Sequence, residues 1–204
     1  MGIQIIWHGH ACFSVRCRDY TVVLDPYEDG SIPGLPPLRL EADMVLCSHG
    51  HHDHNAVSCV TLRQGRAGPF TVTELPTFHD DQGGALRGRN TIRILEADGL
   101  RVAHFGDLGC ALTPEQEKAL QNLDAALIPV GGFFTIGPAE AAALAARLRP
   151  RVLIPMHYKL GKTGLPMIAE LDDFLALADH VVRWPGNELT LDQSIAPQTA
   201  VLSV

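Results

Sequence analysis

The sequence predicts an α/β fold in which sheets are covered by helices. Short strand-like runs dominate the first half of the 204-residue chain, and strands alternate with helices in the second half. The length fits one domain, which we expect to span residues 1–204. A composition of 46% hydrophobic and 19% charged residues is typical of a soluble globular protein.

The first half is predicted to be mostly strands. β-branched and aromatic residues between turn residues predict strands at residues 3–7, 12–17, 21–24, 44–47, 70–74, 91–96 and 101–105. Arg18-Asp19-Tyr20 and Asp98-Gly99 are expected to connect hairpins. Residues 26–40 are rich in Pro and Gly, which predicts a surface loop. A short helix is expected at residues 56–62.

The second half alternates between the two kinds of element. Thr113-Pro114-Glu115-Gln116 is a capping box with proline at the first helical position, and it predicts a helix to about residue 123. Strands are predicted at residues 125–130 and 151–156. An alanine-rich helix is expected at residues 138–148, and apolar residues spaced three and four apart predict another at 166–178.

Charge and composition exclude several functional classes. The net charge of −7, without a Lys/Arg-rich run, argues against a nucleic-acid partner. The N-terminal residues lack the basic and apolar regions of a signal peptide, and no apolar run approaches the ~18 residues of a membrane span. Five scattered cysteines without a C-x-x-C pair indicate reduced thiols in a cytoplasmic protein. The expected partner is therefore a small-molecule substrate, without nucleic acid or membrane, and homo-oligomerisation is left open.

The most informative segment is a histidine cluster directly after the predicted strand 44–47. Its sequence is His49-Gly50-His51-His52-Asp53-His54. In an extended chain His49 and His51 point the same way and can face one metal, while Asp53 and His54 can face a second point as the chain turns. Imidazoles and carboxylates are ligands for zinc, manganese or iron. The alternative is a solvated histidine-rich loop.

Further ligands must come from elsewhere in the chain. His79, Asp107 and His157 each stand at or just after the end of a predicted strand. Ligands gathered from strand ends are how an α/β scaffold builds a rigid site. From position alone, each of the three could equally be a structural residue.

Together these segments resemble the five-motif pattern of the metallo-β-lactamase superfamily. The motifs are Leu24-Asp25-Pro26, His49-x-His51-x-Asp53-His54, His79, Gly106-Asp107 and Pro155-Met156-His157. Within that superfamily the chain is similar to the branch that contains ascorbate-6-phosphate lactonase. The narrower similarity rests on Gly9-His10-Ala11, Val22-Val23-Leu24-Asp25-Pro26, Gly106-Asp107-Leu108-Gly109 and Pro129-Val130-Gly131-Gly132.

The resemblance implies a four-layer αβ/βα sandwich, with two mixed sheets flanked by helices. It also implies two divalent metal ions, zinc first and manganese or iron as alternatives, between the sheets at one edge. Metal one would be held by His49, His51 and His79, metal two by Asp53, His54 and His157, and Asp107 would bridge them. Asp25 would orient a ligand imidazole.

These assignments predict a hydrolase in which a metal-bridging hydroxide attacks a small ester, lactone or phosphoester. Asp53 would carry the proton. His10 and His104 are candidates to line or support the site, and Lys159, Arg87 or Arg89 could hold an anionic substrate group. An iron-dependent oxidoreductase, a nuclease and a catalytically silent metal-binding protein are the alternatives.

Overall fold

Two large sheets form the framework of the structure, a computed structural model that describes residues 2–204. Its strands are β1 (Ile3–Gly9), β2 (Cys12–Cys17), β3 (Tyr20–Leu24), β4 (Leu40–Ala42), β5 (Met44–Leu46), β6 (Val60–Leu62), β7 (Thr71–Phe78), β8 (Arg89–Ala97), β9 (Leu100–His104), β10 (Ala125–Pro129), β11 (Val152–Met156), β12 (Val181–Arg183), β13 (Glu188–Leu191) and β14 (Gln198–Val201). The α-helices in this part of the chain are α1 (Pro114–Ala119), α2 (Pro138–Leu148) and α3 (Leu171–Leu175).

The first sheet has the order β13-β1-β2-β3-β5. Strands β3 and β5 are parallel, and the other neighbours are antiparallel, so the sheet is mixed. Alternate residues of β2 face opposite sides, as a strand requires. Phe13 and Val15 are buried in the main core, whereas Cys12 belongs to a second apolar cluster on the outer side.

The second sheet has the order β12-β14-β11-β10-β9-β8-β7. Its neighbours from β12 to β9 are parallel, and β8 pairs antiparallel with both β9 and β7. Every residue of β10 and β11 is buried, which explains why these two strands are continuous apolar runs rather than alternating ones. Predictions of an α/β fold and of mixed sheets are confirmed.

Strand direction brings distant parts of the chain to one edge of each sheet. In the first sheet β1, β3 and β5 run the same way, because β2 is antiparallel to both β1 and β3. In the second sheet β7, β9 and β11 share a direction, because β8 is antiparallel to β7 and β9. The carboxyl ends of these six strands therefore lie at matching sheet edges.

Two predicted helices differ in the structure. Residues 166–178 contain only the short helix α3, because backbone groups just before it bond elsewhere: Ala169 N–H donates to Gly131 O, and Lys159 N–H donates to Ala169 O. Residues 56–62 form a single 3₁₀ turn at Val57–Cys59 followed by β6. Strand β6 pairs in parallel with β4, and this pairing replaces the expected helix.

The predicted surface loop at residues 26–40 is also a covering layer. Tyr27, Ile32 and Leu38 are buried and pack with Cys12 and Val23 of the first sheet. The Tyr27 hydroxyl donates to backbone carbonyl oxygens of His8 and Pro36, at 3.1 and 3.0 Å. The segment thus shields the outer face of this sheet without forming a regular element.

Helices α2 and α3 pack on each other and contribute buried residues to the main core, among them Leu144 and Phe174. Helix α1 begins with the predicted capping box, but it ends at Ala119 rather than near residue 123. Among residues 2–204 no helix has the length and apolarity needed to cross a bilayer.

Candidate metal centre

The predicted ligands lie close together where strands of the two sheets have their carboxyl ends. Each site residue lies at or just after the end of a strand. They are His10 after β1, Asp25 after β3, His49, His51, Asp53 and His54 after β5, His79 after β7, Asp107 after β9 and His157 after β11. Because these six strands run in matching directions within their sheets, residues far apart in sequence form one cluster.

Asp107 occupies the middle of this cluster. Its Oδ2 atom lies 3.2 Å from Nε2 of His54 and of His79, 3.3 Å from Nε2 of His157 and 4.0 Å from Nε2 of His49. The carboxylate is buried, with a side-chain exposure of 2%. A carboxylate between imidazoles contributed by both sheets has the position that a bridging ligand needs.

Around Asp107 the other predicted ligands fall into two groups, and Asp25 forms a third group with one member of each, His49 and His54. Ligand atoms of His49, His51 and His79 lie within 4.8 Å of one another, and so do those of a second group. The second group contains Asp53, His54, His157 and, in addition, His10. Two donors on one tetrahedral zinc ion are about 3.4 Å apart, so each group would have to contract by a small movement to close around one ion.

The donor atoms have the chemistry that a metal requires. Nε2 of His49, Nε2 of His54, both ring nitrogens of His157 and Oδ1 of Asp107 are buried without a hydrogen-bond partner. Buried polar atoms in folded proteins almost always have a hydrogen-bond partner, so this concentration of polar atoms without one fits a bound ion. Burial lowers the pKa of His49 to about 3, which keeps its imidazole in the neutral, metal-binding form.

Electrostatics at the centre also favour a cation. Burial opposes a charged His54, but Asp107 and Asp25 raise its pKa well above the ordinary histidine value. The two carboxylates on either side of this imidazole favour a positive charge at the centre, and a divalent ion would supply one. Burial likewise opposes ionisation of Asp107, yet His157 and His54 hold its pKa well below the usual range.

Asp25 has the contacts of a residue that orients a ligand. Its Oδ2 atom lies 2.8 Å from Nδ1 of His54 and accepts from the Ser48 hydroxyl at 2.5 Å, while Oδ1 accepts from Ser48 N–H at 2.6 Å. A proton on Nδ1 of His54 leaves Nε2 free to face Asp107. This geometry fits the orienting role that the resemblance implies.

Three residues of the centre have left-handed backbone conformations. His10, Asp25 and His157 have φ values of 51°, 44° and 53°. Such conformations cost of order 1–3 kcal/mol for residues other than glycine, and they persist where surrounding structure imposes them, often at functional sites. In each case the turn follows a strand end and directs the side chain toward the centre.

His104 does not face the centre, because both of its ring nitrogens have backbone partners. Its Nε2 lies 2.8 Å from Ala11 O, and its Nδ1 accepts from Gly106 N–H at 3.1 Å. Gly106 itself has φ +54°, and a Cβ there would lie 2.4 Å from Oδ1 of Asn90 and from Cβ of Ser48. The close approach therefore requires glycine before Asp107.

Asn90 is a positioning residue that sequence reasoning did not single out. It is fully buried, and its Oδ1 accepts from Asp107 N–H at 3.0 Å. Its amide donates to Thr77 Oγ1 at 2.8 Å and to Phe105 O at 2.9 Å. The predicted strand begins at residue 91, just after Asn90, and nothing in the sequence pointed from this residue to Asp107.

Two loops border the group that contains His79. Its Nδ1 lies 3.1 Å from Phe134 O, and the Arg87 guanidinium stands 5.6 Å from the centre of the Phe134 ring. Asp80 accepts four backbone N–H groups of residues 82–87. Burial opposes its ionisation, but these four bonds hold the pKa of Asp80 at about 2.

Lys159, a candidate to hold an anionic substrate group, forms an ion pair with Glu170 at 3.0 Å.

Comparison with known proteins shows the family to which this chain belongs. The family described as "Beta-lactamase superfamily domain" matches residues 4–157. A UPF0173 metal-dependent hydrolase of Archaeoglobus fulgidus is 31% identical over 194 residues, covering 76% of this chain and 83% of the relative. One from Thermococcus onnurineus is 29% identical over 228 residues, covering 93% of this chain and all of the relative.

A solved structure agrees in both sequence and fold. The protein, from Thermotoga maritima, is described as a Zn-dependent hydrolase of the metallo-beta-lactamase superfamily. It is 36% identical, with a TM-score of 0.75, and the match covers 98% of this chain and 97% of the other. The chain therefore belongs to the UPF0173 metal-dependent hydrolase family of the metallo-β-lactamase superfamily, and the prediction of a metal-dependent hydrolase is confirmed at that level.

Proposed function

We propose that this protein is a dinuclear hydrolase, with zinc as the expected metal, that cleaves a small ester, lactone or phosphoester. The observation that carries the proposal is the position of Asp107 between the two donor groups, with four imidazole nitrogens within 4.0 Å of its Oδ2. His49, His51 and His79 would hold one ion, Asp53, His54 and His157 the other, and Asp107 would contact both.

Two bound divalent ions would lower the pKa of a shared water from 15.7 to about 7, which supplies a nucleophile at neutral pH. The protein residues would orient the reactants and carry the proton that the water loses. Asp53 is the best proton carrier, because its side chain is 15% exposed whereas that of Asp107 is 2% exposed. Burial opposes ionisation of Asp53, but the His10 imidazole, whose Nε2 lies 3.5 Å from Asp53 Oδ2, and the charge of His54 lower its pKa.

The proposed step balances without any other reactant. As the water oxygen bonds to the substrate carbonyl carbon or phosphorus, Asp53 Oδ2 accepts a water proton. The bond to the leaving-group oxygen then breaks, and that oxygen takes the proton from Asp53. His51 is exposed while His54 and His157 are fully buried, so substrate would approach from the His51 side.

The choice of substrate class follows from the centre and from the narrower resemblance. Similarity to the ascorbate-6-phosphate lactonase branch favours lactones, and the net charge of −7 argues against nucleic acid. We further propose a cytoplasmic protein that acts on a small molecule. Iron-dependent oxidation and catalytically silent metal binding are the competing functions, and they are outcomes of the test below.

The test combines metal analysis with an activity panel. Protein loaded with zinc or manganese is assayed on lactones, thioesters and phosphodiesters, and bound metal is counted by mass spectrometry. Two equivalents and hydrolysis of a panel member support the proposal. One equivalent of iron would refute the dinuclear hydrolase, and two equivalents without any turnover would favour a silent binder.

Variants of neighbouring histidines separate site chemistry from general effects. His54→Ala removes a donor in contact with both Asp107 and Asp25, so kcat/KM should fall by at least about a hundredfold. His52→Ala is the matched control, because His52 lies in the same segment with an exposed side chain. Unchanged hydrolysis in His54→Ala would show that the proposed mechanism is wrong.

A further inference from the structure

His10 has the same unusual chemical state as the predicted ligands. In the described part of the chain, residues 2–204, buried histidine ring nitrogens without a hydrogen-bond partner belong to His10, His49, His54 and His157. Both nitrogens of His10 are in this state, and the residue is 4% exposed. A core histidine normally has at least one partner, so a structural role alone does not account for this side chain.

The ring of His10 lies directly against the second donor group. Its Nε2 is 3.5 Å from Oδ2 of Asp53, and its ring centre is 4.0 Å from that of His157 and 5.3 Å from that of His54. One ligand atom from each of these four residues lies within 4.8 Å of the others. The ligand atoms of His49, His51 and His79 also lie within this distance of one another.

The backbone fixes His10 in this place. Its φ of 51° is left-handed, and its carbonyl oxygen accepts from the Trp7 indole N–H at 3.1 Å and from His157 N–H at 3.2 Å. The second of these bonds ties His10 to a predicted ligand. Strain maintained by specific hydrogen bonds is expected where a side chain must be held in one orientation.

Nearby histidines outside the ligand set differ from His10 in this respect. His104 is equally buried, but both of its ring nitrogens have backbone partners. His8, two residues before His10, has its Nε2 2.7 Å from the Ser14 hydroxyl. His10 also borders a small cavity of about 90 Å³, lined mainly by apolar side chains such as Trp7 and Leu35.

We infer that His10 is a further ligand of the metal held by Asp53, His54 and His157. This inference rests on the proposed metal centre and extends its ligand set from seven side chains to eight. The two positions then differ in composition. One has three imidazoles, the other has three imidazoles and a carboxylate, and both share Asp107. With Asp107 this position would offer five protein ligands, a number that manganese and iron accept and that zinc reaches when it expands its coordination.

The first test uses the unmodified protein. A crystal structure of the zinc-loaded protein, with anomalous scattering measured at the zinc edge, locates each ion directly. A peak about 2.0–2.2 Å from Nε2 or Nδ1 of His10 supports the inference. A peak bonded to Asp53, His54 and His157 but more than about 3 Å from both nitrogens overturns it, since that is beyond bonding distance.

The second test measures metal binding to His10→Gln without reference to activity. Metal-free protein is titrated with Co²⁺, and visible absorption reports both affinity and coordination. We expect one equivalent to keep its affinity and the other to weaken by at least about tenfold with an altered spectrum. His8→Gln is the matched control and should behave like the wild type. Wild-type affinity and spectrum in His10→Gln would overturn the inference.

The two proposals can fail separately. If the unmodified protein binds only one equivalent, the dinuclear proposal is refuted. The inference about His10 then stands if His10→Gln weakens that single equivalent and falls if the affinity is unchanged. Thermal unfolding of the metal-free variants checks folding, and the anomalous map of the unmodified protein decides the matter if His10→Gln does not fold.

Discussion

Asp25→Asn tests how the protein controls the protonation of His54, a predicted metal ligand. Asp25 accepts three hydrogen bonds, two from Ser48 and one from Nδ1 of His54 at 2.8 Å. Asparagine has nearly the same shape but offers only one acceptor oxygen. If that oxygen keeps the Ser48 N–H, the amide N–H₂ replaces Oδ2 and faces Nδ1 of His54.

Two hydrogen-bond donors, the new amide N–H₂ and Nδ1–H of His54, cannot face each other, so the proton on His54 has to move. The imidazole would move its proton from Nδ1 to Nε2, and Nε2 would then be unable to bind metal. Loss of partners that orient ligands commonly costs 10–100-fold in metal affinity, which corresponds to about 1.4–2.8 kcal/mol. The lost charge-assisted bond should also lower the free energy of unfolding of the metal-free protein by about 1.5–3 kcal/mol.

Chelator competition measures the affinity, and urea unfolding measures the stability. Asp98→Asn is the matched control, because Asp98 has a φ of 51°, similar to the 44° of Asp25, and lies in the hairpin turn where it pairs with Arg18 at 2.6 Å. Asparagine tolerates this backbone at both positions. Equal metal affinity in Asp25→Asn and the wild type would refute the orienting role of Asp25.

Two further predictions concern stability. Gly106→Ala places a Cβ 2.4 Å from Asn90 Oδ1 and Ser48 Cβ at φ +54°, so urea unfolding should show a loss of about 2–4 kcal/mol; an unaffected midpoint would contradict this packing. Burial lowers the pKa of His8 to about 4 from 6.5, so between these pH values the unfolded chain binds a proton that the folded protein does not, and stability falls on acidification. Between pH 7 and 4.5 the free energy of unfolding should fall by about 2 kcal/mol less in metal-free His8→Gln than in the metal-free wild type. An identical fall in both proteins would disprove the lowered pKa of His8.

Local signals predicted those elements whose ends are marked in the sequence. Strand β2 and helix α2 have the predicted bounds, because turn residues flank the strand and a proline begins the helix. The helix expected at residues 166–178 was wrong for most of its length, since bonds to Lys159 and Gly131 take the backbone groups that it needs. Strands β12 to β14 were not expected, because each has only three or four residues and depends on distant partners.

The sequence alone determined the kind of chemistry. Histidines and an aspartate at close spacing after a strand predict metal ligands, and the further motifs in their order indicate the superfamily. These are properties of residue type and local spacing. The assignment of each ligand to one of two ions came from the resemblance and stays a prediction, supported by the two donor groups in the structure.

Only the tertiary structure decided which other residues belong to the centre. In the sequence His10 and His104 were both candidates to line or support the site, with His10 favoured. In the structure His10 lies among the predicted ligands with both ring nitrogens unpartnered, whereas both ring nitrogens of His104 have backbone partners. Asn90 had no signal at all. The physical reason is that strand direction and pairing bring these residues together across more than a hundred positions, and no local pattern records which strand ends meet.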